Sequence, residues 1–475
     1  MKTNILVTIF IFYCSLVSVS QNKEDVINQN LFGFCTSNSF TYVDTYDTSF
    51  ISKVEQIKPE VLRFPGGTIG NFYHTNKEAY GFNVSDVDHW YSGNFTTRVS
   101  SLKQAAVKRG HSNDYIEDFI ALAKNLNAKV VVNANILTAE KSEIISILNR
   151  FQQERIEVLG VELGSELSNR AYKKNIKSVY DYIQLAKKCS ENIKSSFPDM
   201  KVAVVSAPLK VRMPHRLKNW NSILAKENFY DAIVHHSYHT VVDGVADAGV
   251  MVSEKDVSQS KKVKFNLYKN RILIELKSGF TSRIKEYNSI FNNKEIWITE
   301  WNLQMTKTTG NTMLQSLFVS HYLLEVLCNP ALQNIKIATY HNLAGRDISG
   351  SIFKGDNESF ITHSTYSPFS MLSALFEKNI IKIKKEKMKG KDAYIYNCYN
   401  SNNKIQMIYI INWSSKDSYY FANENMNLFN SFYSKNLYDR ANKKGGLSSD
   451  SYMLGGDYNL LIRPYSISVI EDRNE

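Results

Sequence analysis

The feature that most constrains this chain is an alternation. From residue 30 to about 340, short β-branched runs alternate with longer segments of helical period, and parallel strands need crossovers long enough to hold a helix. Eight runs fit a strand: 31–35, 60–64, 129–133, 158–163, 201–206, 232–237, 295–301 and 335–340. Between them Ile116, Phe119, Ile120, Ala123 and Leu126 recur at helical spacing, as do Ile176, Val179, Ile183 and Ala186, and a third helix is predicted over about 312–327. Eight strand-helix units predict a closed (β/α)8 TIM barrel rather than an open sheet.

A barrel does not use up 475 residues. After residue 365 the texture changes to strands without long helices, at 393–399, 404–411 and 460–470, which predicts a small all-β domain. Residues 1–20 read as a secretory signal peptide: Lys2 precedes an apolar run from Ile5 to Val17, and Ser18, Val19 and Ser20 form a small-x-small cleavage site. The run is shorter than the roughly 20 residues of a spanning helix, so the protein is expected in the secreted or periplasmic space without a membrane span. The expected division is therefore leader 1–20, barrel 21–365 and β domain 366–475, with residues 21–30 available to add a strand to the last.

Hydrophobic residues at 43% and charged residues at 22% exclude a disordered or collagen-like chain. The net charge of +11 comes with no arginine-rich arm or nucleic-acid-binding fingerprint, so no nucleic-acid partner is expected. Cys35, Cys189, Cys328 and Cys398 show no paired short spacing and read as buried free thiols. No metal or other cofactor is expected.

Two connections at the carboxyl ends of strands are long. Residues 65–113 carry Phe72, Tyr73, Tyr80, Trp90, Tyr91 and Phe95, and residues 239–274 are rich in lysine. Barrel enzymes build their sites on that rim. Strand four ends in Glu162-Leu163-Gly164-Ser165-Glu166 and strand seven in Trp297-Ile298-Thr299-Glu300-Trp301-Asn302. With a strand period of two, Glu162 and Glu166 share a face, as do Ile298 and Glu300, so the later glutamate of each strand projects near the mouth. Strands four and seven lie roughly opposite each other, bracketing a substrate with two carboxyls, as glycosidic bond cleavage requires.

These segments resemble the glycoside hydrolases of clan A. Residues 161–166 are similar to the clan's E-L-G-N-E, 298–302 to its T-E-W-N, and Leu62-Arg63-Phe64-Pro65-Gly66-Gly67 to the L-R-x-P-G-G turn of family 51 arabinofuranosidases and their relatives in families 39 and 79. His236-Ser237-Tyr238 resembles the H-x-Y closing strand six, and residues 463–468 resemble the last strand of the accompanying β-sandwich. The resemblance implies a retaining hydrolase of a polysaccharide or oligosaccharide, with Glu166 as acid/base, Glu300 as nucleophile and Tyr238 hydrogen-bonded to it. Arg63, Gly66, Gly67, Ser165, His236 and Trp301 become substrate-binding or supporting residues.

Each residue also has a plainer reading. Set deeper in its strand, Glu162 needs a cation or donor to offset desolvation, which Arg63 can supply, or Arg63 can hold the nucleophile ionised. Gly66 and Gly67 serve any tight turn, and His236 could be a core histidine. Ser165 departs from the family asparagine that contacts the sugar, which keeps open a catalytically silent carbohydrate-binding protein on the same fold. A metal hydrolase using His235, His236 and His239 is a weaker alternative, because His235 and His236 face opposite sides of a strand. Lys255, Lys261, Lys262, Lys264, Lys269 and Arg271 beyond strand six point toward an acidic glycan, with a neutral arabinose- or xylose-type substrate close behind.

Overall fold

The computed structural model describes residues 26–472 apart from the short segments 76–79, 94, 111–113, 210–214, 248–250, 255–258, 357–358, 423–425, 442–445 and 455–457. The expected leader lies outside the described residues. No described helix is long and apolar enough to cross a membrane.

Eight parallel strands close into a barrel: β1 (Gly33–Cys35), β2 (Val61–Phe64), β3 (Lys129–Asn133), β4 (Val158–Glu162), β5 (Val202–Val205), β6 (Ala232–His239), β7 (Glu295–Leu303) and β8 (Ile335–His341). Each falls on a predicted run. The floor of the barrel is apolar: Val61, Val131, Ala203, Ala232, Val234, Trp297 and Ile337 pack together inside it. Trp297 fills the centre because Gly160 faces it; a Cβ at Gly160 would lie 2.2 Å from the indole.

The strand period breaks once where it matters. Between Trp297 and Glu300, β7 spends three steps while β6 spends two, pairing Val234 with Trp297 and then His236 with Glu300. This bulge turns both Trp297 and Glu300 into the barrel and leaves Ile298 with the apolar cluster outside it. The expectation that Ile298 and Glu300 share a face is thereby corrected: alternation cannot register an inserted residue.

Beyond the barrel, the helix Tyr366–Glu377 packs against the helix Met313–Cys328. A six-stranded antiparallel sheet follows, made from Lys382–Lys387, Ala393–Tyr399, Ile405–Asn412, Ser466–Glu471, Leu428–Tyr433 and Ser448–Met453 in spatial order. Its inner face, with Tyr396, Met407, Tyr409 and Trp413, joins the main core, while Ile408, Ile410, Phe429 and Ile470 on the other face meet Leu460 and Ile462. Leu460 and Ile462 belong to the strand Tyr458–Ile462, which pairs with Ser418–Ala422 as the second layer of the sandwich. Of residues 21–30, those from 26 onward are described and form no strand. Ile27 donates its N–H to Ile380 O, and the Asn28 side chain then accepts from Asn30 N–H, starting the 3-10 turn Gln29–Leu31.

Candidate active site

At the carboxyl end of the barrel a cleft of about 350 Å³ is lined by Gly67, Glu166, Tyr238, Glu300 and His341, among others. Its floor is an ion trio. Arg63, at the end of β2 and 0% exposed, donates Nε to Glu162 Oε1 at 2.8 Å and Nη2 to Glu162 Oε2 at 2.6 Å, while Nη1 reaches Glu300 Oε1 at 2.7 Å. The two alternatives for Arg63 are both realised: one planar guanidinium neutralises the deep carboxylate and holds the upper one. Burial disfavours the arginine's charge, yet the Glu162 carboxylate outweighs it and raises the guanidinium well above its ordinary value.

Glu300 receives a second donor, the Tyr238 hydroxyl, at 2.6 Å on Oε2. Burial alone would raise the pKa of its carboxyl, but His236, His341, Arg63 and the tyrosine hydrogen bond together hold it well below the usual carboxylate range. The group is therefore ionised and aimed at the cleft. His236 touches both glutamates: Nδ1 lies 3.0 Å from Glu166 Oε1 and 3.7 Å from Glu300 Oε2. Its burial opposes a charge, and the carboxylates of Glu300 and Glu166 overcome that and raise its pKa above 6.5. It is thus a site residue and not an ordinary core histidine.

Glu166 reaches the rim by a turn and not by strand alternation, since β4 ends at Glu162. Gly164 and Glu166 both have positive φ, 87° and 51°, a costly conformation for glutamate that the surroundings must enforce. They do so from two sides. The Asn71 side chain accepts from Ser165 N–H at 2.8 Å and donates to Ser165 O at 2.7 Å, and Arg216 donates to Leu167 O and Ser168 O at 2.9 and 2.5 Å. The Glu166 side chain stays 38% exposed, against 6% for Glu300. One oxygen from each of the two carboxylates lies within 4.8 Å of the other.

The glycine turn sits beside this pair. Gly66 and Gly67 have φ of 74° and 63°, and a Cβ on Gly67 would come 2.6 Å from Ser37 Oγ and 3.8 Å from Glu300 Oε1. Thr36 Oγ1 donates to Arg63 O and Pro65 O, and the Tyr115 hydroxyl donates to Thr36 Oγ1 and Ser37 O, so the turn is braced from behind.

The remaining candidates divide between the cleft and its surroundings. Trp301 does not reach the cleft: the residue after inward-facing Glu300 points outward, where its ring stacks on Tyr322 with centroids 4.4 Å apart. Ser165 is 1% exposed, and its hydroxyl accepts from Arg63 Nη2 at 3.2 Å, so it supports the trio from below. Of the aromatics in 65–113, Phe72, Tyr73 and Tyr80 are buried within that excursion, and Phe95 is the one that lines the cleft. Among the described cysteines, Cys35 and Cys398 are buried and Cys189 and Cys328 half-buried, all free.

The three histidines of the metal alternative do not converge. His235 faces Tyr287 outside the barrel, where burial pushes its pKa down to about 3, and His239 faces Glu275 and Tyr322, while His236 points inward. Among the described residues two other groups are tight enough to share a cation: Glu166, His236 and Glu300, and Cys35, Glu300 and His341. Both contain Glu300, whose counter-charge Arg63 already provides. Burial pushes the Cys35 thiol up to about 12, so it is a neutral neighbour.

Motif reading missed four residues that line the cleft: Arg98, His341, Asn342 and Arg346. The last three end or follow β8, and the barrel rule alone would have placed them on the rim. Asn342 donates to Ala344 O at 2.8 Å while its buried Oδ1 has no partner, leaving an acceptor for a ligand hydroxyl. The lysine-rich segment is not where the cleft's positive charge lies. Lys255 is outside the described residues, Lys261 and Lys264 lie on the helix Lys261–Ile274, and Lys269 and Arg271 pair with Asp392 and Asp243.

No protein-family model matches the sequence, and no curated protein does. Solved structures match over nearly the whole chain. The α-L-arabinofuranosidase of Thermotoga maritima aligns with a TM-score of 0.62 at 14% identity, covering 94% of this chain and 97% of that one. The family 51 arabinofuranosidase of Xanthomonas axonopodis pv. citri gives 0.64 at 11% over the same shares, and that of Bifidobacterium longum 0.63 at 11% over 95% and 97%. A closed eight-stranded barrel with a C-terminal β-sandwich, matched end to end, gives this chain the fold of the clan A arabinofuranosidases of family 51.

Proposed function

We propose that the protein is a secreted, retaining glycoside hydrolase acting on a polysaccharide or oligosaccharide by double displacement. The observation that carries this reading is the carboxylate pair, with oxygens of Glu166 and Glu300 within 4.8 Å across one cleft. Retaining enzymes hold their carboxyls about 5–5.5 Å apart, whereas inverting ones leave about 6.5–9.5 Å for a water.

The environments of the two carboxyls divide the labour. Glu300, ionised and fixed by Arg63 and Tyr238, attacks the anomeric carbon as the glycosidic bond breaks. Glu166, the more exposed, gives its proton to the leaving oxygen, then takes one from the water that releases the sugar from Glu300. His236 links the pair and positions both. Ser165, the departure that favoured a silent binding protein, touches Arg63 and leaves the pair intact.

The test is a glycan panel with the first product followed by NMR, together with mass spectrometry after an activated 2-deoxy-2-fluoro glycoside. Product of retained configuration and a covalent adduct on Glu300 are expected. An inverted product, an adduct elsewhere, or no cleavage of any glycan would overturn the reading.

A further inference from the structure

The cleft contains a second charged feature, which the two-glutamate mechanism does not use. Arg98 and Arg346 line it together with the catalytic pair. Neither guanidinium has a carboxylate or hydrogen-bond acceptor among the described residues, in contrast to Arg63, which is fully committed beneath Glu300. The Arg98 guanidinium lies over the Phe95 ring, 5.7 Å from its centroid.

The backbone adds to the same field. Arg98 stands in the first turn of the helix Thr96–Arg109, a turn that contains no acidic residue. Thr97 and Ser101, on either side of Arg98, line the cleft as well. A helix N-terminus carries partial positive charge, and a cation placed there is unfavourable unless an anion answers it. The two arginines also oppose one another: burial first, and then the charge of Arg346, hold Arg98 below the ordinary arginine value. Two like charges and a helix N-terminus thus gather at one cavity, and among the described residues the carboxylates of Glu166 and Glu300 that share it pair with neither guanidinium.

We propose that Arg98, Arg346 and the N-terminus of the helix Thr96–Arg109 form an anion subsite that selects glycans bearing a carboxylate or sulfate group. This rests on the reading of the cleft as a glycan site. The chemistry matches: guanidinium groups recognise planar or tetrahedral oxyanions through paired hydrogen bonds, and in a partly enclosed cleft that recognition is screened less than at an open surface. Arg98 is half-buried and fixed at a helix start, while Arg346 is exposed on the loop after β8. Arg98 is therefore the specific contact, and Arg346 closes over the anion from the other wall.

Calorimetric titration of the full chain with tetragalacturonate, a sulfated galactan tetrasaccharide, arabinotetraose and xylotetraose tests this without requiring turnover. One of the two charged oligosaccharides is expected to bind at least about tenfold more tightly than either neutral one, and to weaken as salt is raised. Which charged probe binds distinguishes a uronate from a sulfate ester. Arg98→Gln should lose about tenfold to a hundredfold of that affinity, Arg346→Gln less, and neither should weaken the neutral oligosaccharides. Equal or tighter binding of a neutral oligosaccharide, binding of neither charged one, or wild-type affinity in the Arg98→Gln protein overturns the proposal. Assaying the same mixtures for cleavage separates the two readings: arginine-dependent binding without hydrolysis would overturn the hydrolase and leave the anion subsite standing, and hydrolysis confined to neutral glycans would do the reverse.

Discussion

Arg63 Nη1 donates to Glu300 Oε1 at 2.7 Å, and the rest of the same guanidinium is occupied by Glu162. The candidate nucleophile is thus held ionised by a residue of β2, across the barrel from β7 with β8 and β1 between them. Replacing Arg63 by Gln leaves two carboxylates without their buried cation, a change that costs about 3–5 kcal/mol in comparable sites. The Arg63→Gln protein is expected to melt well below wild type, and the acid limb of its kcat/KM profile should move to higher pH because Glu300 protonates more readily. An unchanged melting temperature and acid limb would show that the trio is incidental.

Glu300→Gln keeps the shape of the side chain and removes the proposed nucleophile. Turnover should fall to background, since an amide cannot form the glycosyl-enzyme ester. Circular dichroism and thermal melting establish that the variant is folded, and wild-type rates in such a protein would falsify the assignment.

Glu166→Ala should discriminate by leaving group. Natural glycans, with poor leaving groups, need protonation and should be hit hardest, whereas an activated aryl glycoside should still glycosylate the enzyme, and azide should rescue the second step. Equal loss on both substrates without azide rescue would move the role to another residue.

His236 gives a pH signature in stability. Its folded pKa is raised above 6.5, so its charged contacts stabilise the fold fully below about 6.5 and progressively less as pH rises through the folded value. Melting temperatures of wild type and His236→Gln should therefore differ most at mildly acidic pH and converge in alkali. A gap that widens with pH would contradict the ion pair.

A buried carboxylate far from the cleft couples the barrel to the C-terminal sheet. Glu325, on the helix Met313–Cys328, accepts from the Tyr396 hydroxyl at 2.6 Å and pairs with Lys385, with His321 Nε2 at 3.4 Å. Burial raises its pKa, but His321 and Lys385 overcome that and hold it at about 2. With a depressed folded value, its stabilisation is present above the unfolded pKa and is lost as pH falls from about 4.3 toward 2. Glu325→Ala should lower stability by about 1–3 kcal/mol at neutral pH and flatten the acid end of the melting curve, as measured by denaturant titration across pH.

The eight barrel strands were legible because a parallel sheet buried on both faces leaves runs that differ sharply from the helices between them. The rim position of Glu166 and Glu300 follows from where those runs stop. Sequence did not determine the phase of the site. The bulge between Trp297 and Glu300 breaks alternation, and the left-handed turn at Glu166 carries that side chain where no strand period could. Both depend on partners far along the chain, Asn71 and Arg216 for the turn and the neighbouring strands for the bulge. Motif position leaves Ser165 and Trp301 open as substrate-binding or supporting residues, and burial decides, sending one toward Arg63 and the other out to Tyr322. The charge of the cleft was sought in a lysine-rich segment, since local density is all that a sequence displays. Arg98 and Arg346 are separated by most of the barrel along the chain, and only its closure brings them to one cavity. Composition and period determined the scaffold, through forces local to each segment. The tertiary structure decided which polar groups face one another, because that depends on how distant segments meet.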